Sequence, residues 1–101
     1  MKKGICHACF AEGMPLDRRL DLAQQAGFDG YELIVRRPGE TELHADSDAA
    51  SLEALRQRIT KRGLELCSMF GSPVTDPLPI TSPDQGLWEQ GVKALERMLE
   101  I

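Results

Sequence analysis

Three times in succession the chain runs from a short β-prone segment through a polar loop into an amphipathic helical stretch, and this alternation limits the possible folds more than any other feature. Residues 4–10 form the first β-prone segment. Residues 11–14 follow, and Pro15 falls in the first helical turn, where its missing N–H would go unpaired anyway. Leu16, Leu20, Ala23 and Ala26 share one helical face, and Gly27 is a natural stop. The second strand covers 31–35 and leads through a polar loop, 36–47, to a helix capped by Ser47 or Asp48. Leu52, Leu55 and Ile59 form its apolar stripe, and Gly63 ends it. A third strand, 64–70, leads into a loop, 71–81, that contains Pro73, Pro77 and Pro79. Ser82-Pro83-Asp84-Gln85 then reads as cap, N1 proline, acidic second position and capping-box Gln. The helix it opens carries Trp88, Val92, Leu95 and Leu99 on one face. No Gly, Asn or Pro closes it through 95–101, so it is expected to run on past Ile101.

Strand–helix alternation of this kind implies an α/β fold with parallel strands and right-handed crossovers. The helix-to-strand turns are short, whereas two strand-to-helix loops are long. In parallel α/β folds a ligand site forms at the C-terminal ends of the strands, so 12–14, 36–47 and 71–81 are expected to make the functional rim. Composition narrows the partners. Twelve Lys and Arg against sixteen Asp and Glu give a formal net charge of −4, which argues against nucleic acid, since phosphate binding begins with excess positive charge. No apolar run approaches the roughly 20 residues a membrane span needs, and Met1-Lys2-Lys3 leads into only Gly4-Ile5 before polar residues return. No membrane association and a cytoplasmic location are therefore expected, with the three cysteines as reduced thiols.

Several segments carry a resemblance to a known family. Lys3-Gly4-Ile5 opens the first strand. Leu20-Asp21-Leu22-Ala23 is followed by Ala26-Gly27-Phe28-Asp29-Gly30-Tyr31-Glu32-Leu33, and Leu52-Glu53-Ala54-Leu55 runs into Arg62-Gly63-Leu64. Together they resemble the xylose-isomerase-like TIM barrels, a superfamily of sugar and sugar-phosphate isomerases and epimerases, with endonuclease IV a more distant relative. The resemblance covers essentially the whole chain, and 26–33 is its most specific part, as a structural signature. It implies that 1–101 is a partial domain, the N-terminal three βα units of a (β/α)8 barrel, whose full form takes eight units and about 250 residues. It also implies a divalent metal (Mn, Mg, Co or Zn) held by carboxylates and a histidine of the second half, where the Glu pair that moves the proton also lies. No position here matches those residues, so no catalytic or metal ligand carries over. In the full-length form a small-molecule sugar would be the substrate, through metal-assisted proton abstraction next to a carbonyl. The chain alone is expected to be inactive and to contribute wall and rim.

Glu32 is the leading substrate-binding candidate. Strand alternation points it away from Tyr31 and Leu33; if those pack under the helices, Glu32 and Ile34 face the barrel interior. It would then hydrogen-bond substrate, or a group that holds substrate; the alternative is a carboxylate paired with a basic neighbour. His7, late in the first strand, is the second candidate, its ring either reaching the rim or packing in a hydrogen-bonded position. His44 stands among Glu40, Glu42 and Asp46 and reads as a surface histidine, because side chains spread along one loop set no metal geometry. Cys6-His7-Ala8-Cys9 would send its cysteines to opposite faces of a strand, with Cys67 alone downstream, so packing thiols are expected. Arg56, Arg58, Lys61 and Arg62 read as a solvated, dipole-matched helix end.

Two other functions remain open. An endonuclease IV-like phosphodiesterase would place metal-binding histidines after the early strands, whereas Phe70-Gly71-Ser72-Pro73 has none and the chain is acidic. A small non-catalytic module that binds a ligand or partner would self-associate through its open sheet edges and apolar last helix.

Overall fold

A computed structural model describes residues 1–37, 39–71, 80 and 82–101. The expectations placed on Pro73, Pro77 and Pro79, on Thr81 and on Ser72-Pro73 lie outside the described residues. The chain groups into two compact units, Met1–Ile34 with Asp48–Phe70, and Val35–Ser47 with Gly71–Ile101.

The first unit holds a three-stranded parallel sheet in the order β1-β2-β3, with β1 at Gly4–Cys6, β2 at Gly30–Ile34 and β3 at Glu65–Phe70. Two helices provide the crossovers, α1 at Leu16–Gln25 and α2 at Ala49–Thr60. β2 is the middle strand and its Tyr31, Leu33 and Ile34 are buried, together with Leu16, Leu20 and Ala23 of α1 and Leu55 and Ile59 of α2. Those helical residues recur at spacings of three and four, which puts them on one face. Ala26 was expected to extend the stripe of α1, but it is exposed at the C-cap. There the helix ends in a Schellman arrangement: the Phe28 N–H donates to the Ala23 carbonyl and the Gly27 N–H to that of Gln24. Gly27 has a φ of +76°, which L side chains rarely adopt.

Three boundaries depart from the sequence reading. β1 stops at Cys6 rather than running to residue 10, because the chain turns into a 3-10 segment, His7–Cys9. The Cys6 sulfur accepts from the Ala8 N–H at 3.4 Å, and the Phe10 N–H returns to the His7 carbonyl. Cys6 and Cys9 therefore do not share a strand, and Cys9 is exposed on the turn. Pro15 is the N-cap of α1 rather than its first helical residue, with an extended ψ of 147°. At α2, Asp48 is the cap and accepts the Ser51 N–H at 2.7 Å; Ser47 is engaged elsewhere, by the His44 N–H.

The basic end of α2 is not simply solvated. Arg58 and Arg62 both reach Asp17 of α1, at 3.1 and 3.3 Å, and Arg62 also meets Asp21 at 2.7 Å. Arg58, near the end of α2, and Arg62, in the turn just beyond it, thus bridge two anions, Asp17 and Asp21, spaced i, i+4 on α1. Among the described residues, β1 and β3 each pair only with β2, and Leu66 and Phe70 of β3 stand exposed.

The second unit contains α3, Gln85–Glu100, and the loop Val35–Ser47. Asp84, not Ser82, caps α3 by accepting the Leu87 N–H at 2.9 Å, while the Ser82 hydroxyl accepts from Asp84 itself. An extended Asp84 leaves its carboxylate over the free N–H groups of the first turn, so Pro83 precedes the cap. The packed side of α3 also differs from the expected stripe. Gly91 is buried and Met98 lies over Gly71, whereas Trp88 is 41% and Leu99 89% exposed. No described helix is long and apolar enough to cross a membrane.

Candidate functional site

Along β2, alternation sends Tyr31 and Leu33 into the buried side and Glu32 to the opposite face. Register then sets Glu32 between Cys6 of β1 and Ser68 of β3. The Ser68 hydroxyl donates to Glu32 Oε2 at 2.7 Å, and the Cys6 thiol donates to the same carboxylate. Both donors are neutral, in place of the basic neighbour that was the alternative expectation. The Ser68 hydroxyl, and after it the Cys6 thiol, hold the Glu32 carboxyl below its ordinary value. Cys6 shifts the other way: partial burial, above all, raises its thiol, and the adjacent Glu32 charge adds to this. The result is an ionised carboxylate on an open sheet face, flanked by a hydroxyl and a protonated thiol.

His7 goes elsewhere. It is buried in the 3-10 turn, with Nδ1 at 3.0 Å from the Tyr31 hydroxyl and its ring edge-on to Tyr31. Phe10 stacks on the same tyrosine. Tyr31 lies on the buried side of β2, so the structure does not bring His7 and Glu32 together. His44, expected at the surface, is half-buried, and its Nδ1 is buried without a hydrogen-bond partner. Among the described residues no group of three or more His, Cys, Asp or Glu side chains is placed to hold a metal ion. The donor set that the implied divalent cation would require is thus not assembled by these residues.

Two residues escaped the sequence reading. Ser68 completes the Glu32 pair, but regular alternation gives no reason to place it on that face. Arg19 is 7% exposed and holds the loop that follows β1. Its Nε donates to the Met14 carbonyl at 2.7 Å, Nη1 to that of His7 at 2.8 Å and Nη2 to that of Ala11 at 3.1 Å. The available signal was its place beside Leu16, Leu20 and Ala23 on the inward face of α1.

Three parallel strands in one open sheet, joined by helices, match the consecutive βα units from which a (β/α)8 barrel is built. A family model described as xylose isomerase-like TIM barrel matches residues 20–101. The chain belongs to that family. The match begins within α1 and takes in Glu32 and Ser68, while Cys6 and His7 precede it. No curated protein matches the chain.

Proposed function

We propose that the chain forms part of a sugar or sugar-phosphate isomerase or epimerase barrel, in which Glu32 and Ser68 bind a hydroxyl of the substrate. The supporting observation is the Glu32 carboxylate, held by Ser68 and Cys6 on the open face of the sheet. A carboxyl below its ordinary value is a poorer proton acceptor than a free glutamate, and efficient general bases sit near the working pH. Glu32 therefore suits hydroxyl recognition better than proton abstraction. A sugar hydroxyl would donate to the carboxylate while the Ser68 oxygen, both donor and acceptor, joins the same network. A divalent cation would belong to residues other than those described, and the isomerisation chemistry with it. The chain alone is expected to bind without turnover.

The test is a titration of the isotopically labelled chain with a ketopentose, an aldohexose and their phosphates, followed on the Glu32, Ser68 and Cys6 resonances. Saturable shifts on these residues are expected, weakened in E32Q and S68A. Silence up to roughly 100 mM sugar, far above a millimolar affinity of about −4 kcal/mol, would remove the reading. Turnover in an aldose–ketose assay would overturn the expected inactivity.

A second reading, a self-associating module without catalysis, draws on the exposed Leu66 and Phe70 of β3 and Trp88 and Leu99 of α3. It requires a mass that rises with concentration together with cooperative unfolding.

A further inference from the structure

The ladder between β2 and β3 skips one residue. Gly30 and Tyr31 pair with Glu65 and Leu66, but Glu32 pairs with Ser68, so Cys67 has no partner. Such a bulge sets two residues against one and re-aims side chains. In a regular strand Cys67 and Ser68 would point to opposite faces. Here the Ser68 hydroxyl meets Glu32, and Cys67 Sγ lies 3.9 Å from that same oxygen. Both side chains occupy the face of Glu32.

Room for the second one comes from two glycines. Gly30 shares a face with Glu32, and Gly4 with Cys6, each two residues away on its own strand. A Cβ on Gly30 would stand 3.2 Å from Cys67 Sγ and 3.3 Å from its Cβ; one on Gly4 would stand 3.3 Å from the same sulfur. Neither glycine has the positive φ seen at Gly13, Gly27, Gly39 and Gly63. What these positions require of glycine is space, not backbone conformation.

We infer that Gly4 and Gly30 are positioning residues: the room they leave for the Cys67 side chain permits the bulge that sets the Ser68 hydroxyl on the Glu32 carboxylate. They act through Ser68 and need no contact with ligand. Their significance for binding rests on the reading of Glu32 and Ser68 as a hydroxyl-binding pair. A side chain at position 30 would press on the thiol, flatten or shift the bulge and draw Ser68 away. With its strongest donor gone, Glu32 would titrate at a higher pH.

The experiment is a carbon-detected NMR titration of the Glu32 carboxyl in the intact chain without sugar, for wild type, S68A, G30A and G30A/C67G. S68A and G30A are each expected to raise the Glu32 midpoint. Removing the side chain at 67 in the double variant is expected to bring it back toward wild type, which a general loss of stability would not do. A folded G30A with an unchanged midpoint, while S68A raises it, would overturn the inference. Should G30A fail to fold, Cys67→Leu puts the added bulk at an exposed position, and an unchanged midpoint there overturns it equally. Because no sugar is present, the outcome is separable from the binding test. A chain that shows these shifts but binds no sugar keeps the positioning relation and loses the proposed function.

Discussion

The Tyr31 hydroxyl lies 3.0 Å from Nδ1 of His7, linking the centre of β2 to the turn that ends β1. Both side chains are buried. Tyr31→Phe keeps the ring that Phe10 stacks on and deletes only the hydroxyl. Net hydrogen bonds contribute about 1 kcal/mol, with more lost when a buried partner is left behind. A destabilisation of about 1–2 kcal/mol in urea unfolding is expected, together with a changed His7 ring environment by NMR. An unchanged midpoint in urea would mean that this bond adds nothing to the fold.

Arg19 should matter more. It satisfies three loop carbonyls from one planar group, and no carboxylate pairs with it among its hydrogen bonds. Arg19→Met retains the apolar stem and strands three carbonyls at the end of the sheet, for an expected loss of about 3 kcal/mol. Arg19→Lys should recover less than half, since a single ammonium cannot span the fork. A loss below about 1 kcal/mol for Arg19→Met would show that water replaces the guanidinium without difficulty.

How far the sequence disclosed these features depends on what each one rests on. The order of strands and helices was legible because it follows from period-two and period-3.6 patterning along the chain. Glu32 was legible for the same reason: alternation against Tyr31 and Leu33 is a local property. Ser68 was not, because its facing depends on a bulge, and the bulge depends on Gly4 and Gly30 lying under Cys67 from two other strands. Helix starts at Asp84 and Asp48 were displaced or ambiguous because Ser, Pro and Asp in one stretch offer competing caps, and backbone geometry chooses among them. Arg19 sat in the apolar stripe, but a charge there gains meaning only once the carbonyls it serves are folded around it. Of the two settings expected for His7, the structure shows the packed, hydrogen-bonded one; only the length of β1 differed, because the strand ends where the Cys6 sulfur takes the Ala8 N–H.

The α1–α2 bridge makes stability depend on acid. A hydrogen bond from Arg58 is the largest influence holding the Asp17 carboxyl below its ordinary value, with the charges of Arg58 and Arg62 adding to it. A folded-state value lower than the unfolded one contributes stability above the unfolded pKa of about 3.9. That contribution is lost as pH falls through the folded value. Asp17 is 54% exposed, so screening limits the effect to about 0.5 kcal/mol or less. Asp48 and Glu53 are lowered as well, so the informative quantity is wild type minus Asp17→Asn. That difference should be flat from neutral pH to about 5, shrink below 4, and diminish in about 1 M salt. A difference that grew on acidification would contradict the assignment.

Within the second unit, Arg97 of α3 closes the loop that the sequence assigns to the functional rim. Its Nε donates to the Ala45 carbonyl at 2.9 Å and Nη2 to that of Ser47 at 2.8 Å, while Nη1 meets Glu100 at 3.3 Å. The loop also ties itself together: the Arg36 N–H and the Thr41 hydroxyl both donate to the Leu43 carbonyl, and Leu43 is buried. Arg97 is the long-range clasp added to that local closure. Two charge-assisted bonds of about 1.5 kcal/mol each correspond to about two orders of magnitude in a local opening equilibrium, at about 1.4 kcal/mol per tenfold. Arg97→Ala is therefore expected to speed amide exchange across 43–47 by roughly a hundredfold, with little change in the strands. Arg97→Lys should fall between, because an ammonium reaches one carbonyl well but not both. Glu100→Gln should have a small effect, since an exposed i, i+3 pair contributes about 0.2–0.5 kcal/mol. If exchange in 43–47 stays at the wild-type rate in Arg97→Ala, the loop is held by Leu43 and its own turn alone, and the guanidinium only decorates it.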